Sequence, residues 1–86
     1  MSRVKIYSTG VCPMCKQVKT LLDKWSIPFQ EVRVDQDRNG LQEMLRITNN
    51  ARRVPQIAID ERWIGGFTEL TELHMDGELD ELVVSG

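Results

Sequence analysis

The 86-residue chain has only two cysteines, one histidine, one tyrosine and three prolines, and its last 24 residues contain no lysine or arginine at all. Each scarcity narrows the reading. Two cysteines and a single distant His74 cannot by themselves complete the roughly four-ligand shell of a structural zinc site, so no metal is expected. No apolar run approaches the ~18 residues of a membrane span. Nor does the chain start with the apolar core and small-residue cleavage site of a secretory signal, so a cytoplasmic location is expected. Eleven basic residues and seven acids within positions 1–62 give +4, and six acids within 63–86 give −6. That split, with no basic stripe carrying interleaved aromatics, speaks against nucleic acid as a partner. The acidic end reads as solvated helix surface. At this length the expectation is one domain, residues 1–86, with any chemistry carried on it.

What is present follows a short rhythm of strands and helices. Val4 to Tyr7 alternates apolar and polar residues, and Ser8-Thr9-Gly10 ends that strand. From Pro13 the period becomes helical, with Met14, Val18, Leu21, Leu22 and Trp25 on one face, until Ile27-Pro28. Phe29 to Val34 is a second strand. Asp35 to Gly40 is rich in turn formers, and Leu41, Met44, Leu45 and Thr48 then keep helical spacing up to Asn49-Asn50. Gln56 to Ile59 and Arg62 to Ile64 flank Asp60-Glu61 as a tight hairpin. Thr68 is placed to cap a last helix, with His74 on its surface, and a short segment follows Asp76-Gly77. The order β-α-β-α-β-β-α, with a right-handed first crossover, predicts an α/β thioredoxin-like fold: a four-stranded mixed sheet flanked by three helices.

The two cysteines stand three residues apart where a strand feeds a helix, the context in which Cys-x-x-Cys acts in redox chemistry. Pro13 suits the first helical turn, where a missing N–H costs nothing. The remaining unpaired N–H groups and the positive end of the helix dipole then point at the Cys12 sulfur and favour its thiolate. Cys15 lies most of a turn further on, toward the Val18/Leu22 face, and is expected to be more buried, with a more ordinary thiol. The asymmetry makes Cys12 the attacking and Cys15 the resolving sulfur. A purely structural disulfide closing so short a loop would remove little unfolded-state entropy. Lys16 and Lys19 add positive potential near Cys12, from the solvent side of the helix.

Cys12-Pro13-Met14-Cys15, Arg53-Val54-Pro55-Gln56-Ile57, Ile64-Gly65-Gly66-Phe67 and Gly77-Glu78-Leu79, taken together and in this order, resemble the glutaredoxin family over nearly the whole chain. The resemblance implies a thiol–disulfide oxidoreductase that reduces protein disulfides and glutathione mixed disulfides, with glutathione as reducing co-substrate and disulfide or glutathionylated proteins as partners. It further implies a cis bond before Pro55, with Val54 offering its backbone to the bound thiol. Gly66, Phe67 and Thr68 would hold the γ-glutamyl carboxylate at a helix N-terminus. Arg52 or Arg53 would receive the glycyl carboxylate, and Lys16 completes the candidate binding set. A monomer is expected. Two alternatives come with the resemblance. The Gly-Phe-Thr run and the basic pair before Val54 are similar to glutaredoxin-like electron donors of ribonucleotide reductase, reduced by thioredoxin reductase. An iron–sulfur cluster carrier is the other, against which Pro13 and the second cysteine argue.

Overall fold

Odd and even residues of a strand face opposite ways, so Val4 and Ile6 must enter one layer and Lys5 and Tyr7 the other. In the computed structural model, which describes residues 3–84, β1 (Val4–Ser8) does this at the centre of the sheet. It pairs in parallel with β2 (Phe29–Arg33), reached through α1 (Pro13–Lys24), and antiparallel with β3 (Gln56–Ile59), reached through α2 (Arg38–Ile47). β4 (Arg62–Gly65) closes the hairpin, and the sheet order is β2-β1-β3-β4. α3 (Phe67–Met75) and α4 (Glu78–Val84) follow. The expected thioredoxin-like fold is therefore present. The predicted domain limits include Met1, Ser2, Ser85 and Gly86, which lie outside the described residues.

One layer joins Val4, Ile6, Ile57 and Ile59 to Val18 and Leu22 of α1, Leu70 of α3 and Leu79 of α4. The other packs Tyr7, Val32 and Ala58 against Met44 of α2. Burying each large aliphatic side chain of this kind contributes about 1.5–3 kcal/mol. A polar anchor ties the second layer together. The Tyr7 hydroxyl donates to Glu43 Oε2 at 2.8 Å, and Lys5 Nζ lies 3.3 Å from the same oxygen.

Helix ends depart from the sequence reading in four places. Asp35 to Gly40 is not all turn: the Asp37 carboxylate accepts the Gly40 N–H at 3.0 Å and starts α2 at Arg38. Asp and Asn serve caps and turns equally well, which is why composition alone misplaced this start. α1 stops at Lys24, ahead of Ile27-Pro28, because Ser26 turns left-handed at φ 59° and the Ile27 N–H reaches back to the Leu22 carbonyl at 2.8 Å. Thr68 does not cap α3. Gly66 is the N-cap, and the Glu69 carboxylate returns to its N–H at 2.7 Å. The segment after Gly77 forms a fourth helix, α4, whose Leu79 is fully buried. His74 is half-buried rather than a plain surface residue, its ring stacked on Trp25 at 3.7 Å between centroids.

Candidate active site

The β1–α1 loop delivers Cys12 in extended conformation, φ −106° and ψ 106°, as the N-cap of α1. Its Sγ accepts the Cys15 N–H at 3.1 Å, the role a serine or aspartate oxygen plays at an ordinary helix start. Pro13 holds the first turn, which contains no acid. The loop itself is clasped from β2: Arg33 grips Asp35 through two nitrogens at 2.9 and 2.8 Å, and Asp35 Oδ2 accepts the Gly10 N–H at 3.1 Å. Arg33, and then the Gly10 N–H, hold the Asp35 carboxyl down at about 2.

Both cysteines are free thiols, but their surroundings differ. Cys12 is 9% exposed, and its near neighbours in sequence Val11 and Met14 are apolar side chains left 91% and 40% exposed. Cys15 is 1% exposed. Burial, reinforced by the Cys12 sulfur and only partly offset by the Thr9 backbone and Lys19, pushes the Cys15 thiol up to about 12. The more ordinary thiol expected at Cys15 is thus corrected upward, because spacing along a helix does not report how completely the sheet covers that position. Cys15 therefore keeps its proton at neutral pH.

Facing Cys12 is the segment before β3. The Val54–Pro55 peptide is cis, and the Cys12 thiol donates to the Val54 carbonyl over 3.8 Å. The Pro55 carbonyl in turn crowds the start of α3: a Cβ on Gly66 would come within 3.2 Å of it. Gly65, at φ 128°, brings the backbone into this close approach. Cys12, Cys15, Val54, Pro55 and Gly66 therefore form one contact series across α1, the cis segment and α3. Phe67 and Lys16 meet separately, lining a shallow cavity of about 280 Å³ with Gln17, Thr20 and Leu21.

Thr68 is exposed, and its hydroxyl has no partner among the described residues. Arg52 and Arg53 are exposed on the loop before Val54, without an ion-pair partner among the described residues; the Arg53 carbonyl accepts from Gln56 Nε2 at 3.0 Å. Lys19 is engaged by Glu31 at 2.9 Å, whereas Lys16, exposed in the first turns of α1, has no ion-pair partner among the described residues. Glu69 reaches back to the Gly66 N–H, a contact the sequence analysis did not identify; an acid three residues after the N-cap is the signal that points there. Among the described residues no group of three or more His, Cys, Asp or Glu side chains gathers as a metal site. Nor, among the described residues, is any helix long and apolar enough to cross a membrane.

This arrangement has clear relatives. The family model for glutaredoxin matches residues 4–64. Glutaredoxin 3 of Escherichia coli is 37% identical over 83 residues, 96% of this chain and 99% of the relative. A probable glutaredoxin of Synechocystis is 34% identical over 84 residues, covering 98% of this chain and 96% of its own length. Among solved structures, a buckwheat glutaredoxin–glutathione complex superposes with a TM-score of 0.84 at 29% identity, over 96% of this chain and 77% of that one.

Proposed function

The chain belongs to the glutaredoxin family of thiol–disulfide oxidoreductases, and on that premise we propose that, as a single domain in the reducing cytoplasm, it draws its electrons from glutathione and reduces both protein disulfides and glutathione mixed disulfides. The observation that carries the reading is the contact of the N-cap sulfur of Cys12 with the Val54 carbonyl. A thiol bound at that point lies along a backbone segment that recognises any extended peptide without asking for particular side chains. The buckwheat relative was solved with glutathione, which supports the same ligand here.

In the dithiol route the Cys12 thiolate attacks a substrate disulfide, and the departing sulfur takes up a proton. Cys15 then gives up its proton and attacks Cys12 Sγ, releasing the second substrate thiol and leaving the Cys12–Cys15 disulfide. Two glutathione molecules return the pair to thiols and leave as one glutathione disulfide. In the monothiol route Cys12 takes glutathione from a mixed disulfide, and a second glutathione frees it. Val54 and Pro55 align the cysteinyl part of glutathione. The γ-glutamyl carboxylate is received by the Phe67 and Thr68 N–H groups and the Thr68 hydroxyl beyond Gly66, and the glycyl carboxylate by Arg52 or Arg53, with Lys16 adding positive potential.

The test supplies oxidised protein with either glutathione and glutathione reductase or with thioredoxin reductase. Turnover with the first system is the expected result. Turnover with thioredoxin reductase alone would move the chain to the ribonucleotide reductase donor reading. A coloured purified protein would favour the cluster carrier.

A further inference from the structure

We propose that the hollow beside the paired glycines, walled by Trp63 and Glu69, is a subsite for a basic side chain of the protein whose disulfide is reduced. The inference rests on the thiol–disulfide activity and not on the source of electrons. The hollow has a volume of about 360 Å³ and is lined by Gln56, Trp63, Ile64, Gly65, Gly66 and Glu69, with no lysine or arginine among them.

Two walls are fixed in advance for a cation. Trp63, on the edge strand β4, leaves 44% of itself exposed, while its Nε1–H is held by Gln56 Oε1 at 2.7 Å and Gln56 Nε2 by the Arg53 carbonyl at 3.0 Å. A held indole face is the best aromatic surface for an ammonium or guanidinium group. Glu69 Oε1 is anchored by the Gly66 N–H at 2.7 Å, and its second oxygen has no partner among the described residues. Gly65 makes this possible, because a Cβ there would stand 2.6 Å from Glu69 Cγ. Glu69 is the charged side chain in the lining, so the hollow itself favours a positive visitor.

The place is right for a residue close to the reacting disulfide. Cys12 touches Val54, and the Pro55 carbonyl abuts Gly66. An extended peptide advances ~3.3 Å per residue, so a side chain a few residues along the substrate from its reacting cysteine is the one this hollow would meet.

The experiment is a single turnover of prereduced protein with paired synthetic peptide disulfides, each pair identical except for lysine or norleucine at one position two, three or four residues from the cysteine. The lysine peptide is expected to react about three- to tenfold faster at low salt, with the advantage shrinking as salt rises. Glu69→Gln, which keeps an acceptor for the Gly66 N–H, is expected to remove the preference without changing the norleucine rate. Trp63→Leu should reduce it, and Glu69→Lys should shift it to a glutamate peptide. Equal rates in the unaltered protein, or a preference that survives Glu69→Gln, would overturn the proposal. So would an equal slowing of glutathione disulfide by Glu69→Gln, since the carboxylate would then serve the glutathione ammonium group. Because no glutathione is needed for the peptide measurements, failure here is distinct from failure of the glutathione reading, which the reductase comparison decides.

Discussion

Helices α1 and α3 both begin against the Val54–Pro55 segment, yet they use their first N–H groups in opposite ways. α1 is capped by a sulfur, has no acid in its first turn and carries Lys16 nearby. α3 is capped by a glycine without a side chain, and its Glu69 carboxylate holds the Gly66 N–H. Both ends carry the same positive dipole. The difference lies in whether a permanent anion already occupies it. On the exchange chemistry proposed above, charge appears and vanishes on the Cys12 sulfur, and an end free of carboxylates in its first turn leaves its donors to that atom. The other end has one donor satisfied from within, and the N–H groups of Phe67 and Thr68, in the first turn, have no acceptor inside the helix.

The strongest way to break this contrast is to remove the sulfur from α1. Cys12→Ser is expected to abolish every exchange reaction. Cys15→Ser should keep part of the reduction of glutathione mixed disulfides and lose the dithiol reduction of protein disulfides. Assays of both variants on both substrates check this, and equal residual activity would remove the assignment of attacker and resolver. The pH dependence sharpens it. Since burial lifts Cys15 to about 12, the folded protein binds more protons than the unfolded chain between about pH 9 and 12. Stability from this group is complete below pH 9 and is lost as pH rises through that window. Denaturant titrations should show a steeper alkaline loss in the parent than in Cys15→Ser. Alkylation of the reduced protein at neutral pH should mark Cys12 alone.

A smaller effect comes from making α1 resemble α3. Lys16→Glu sets a carboxylate in the first turns of α1, and a charge at a helix end is worth about 0.3–1 kcal/mol. Alkylation of Cys12 in the Cys15→Ser background should therefore slow about two- to fivefold at neutral pH, with Lys16→Gln in between. Added salt should shrink the difference, because Lys16 is exposed.

The parts of this contrast that could be read from sequence are those written in local pattern. The Cys12-x-x-Cys15 spacing, the period-two run of β1 and the two-residue hairpin turn at Asp60-Glu61 each involve neighbours in the chain. Those residues take φ 51° and 66°, as the tight turn demands. What escaped depends on partners far along the chain. Leu79 makes α4 a packed helix only because the layer containing Val4 and Leu22 is there to cover it. His74 meets Trp25 across two helices. Thr68 looked like the cap because a hydroxyl before an apolar run is the usual sign. Gly66 replaced it, since the backbone must pass close to the Pro55 carbonyl. The shift at Cys15 arises from enclosure, which no spacing encodes.

On the α3 side the exposed donors can be tested one ligand group at a time. Thr68→Val deletes one hydroxyl, and a lost hydrogen bond of about 0.5–1.5 kcal/mol corresponds to a rise of roughly two- to twelvefold in the KM for glutathionylated substrate. Arg53→Ala should cost at least as much and make the remaining activity less dependent on salt. Steady-state kinetics at two ionic strengths measure both. Unchanged KM in both variants would leave the α3 end without a part in glutathione binding.

The smallest effect concerns the internal anion itself. Glu69→Ala frees the Gly66 N–H to water and removes a negative charge from the positive end of α3, which together should lower stability by about 0.5–1 kcal/mol. Glu69→Gln keeps the acceptor and loses only the charge, so its loss should be about half as large. The two values, taken from denaturant midpoints at constant m, separate the hydrogen bond from the dipole interaction. If the two variants lose the same amount, the cap on α3 acts through charge alone. The contrast with α1 would then rest entirely on which end holds an anion and not on how its N–H groups are satisfied.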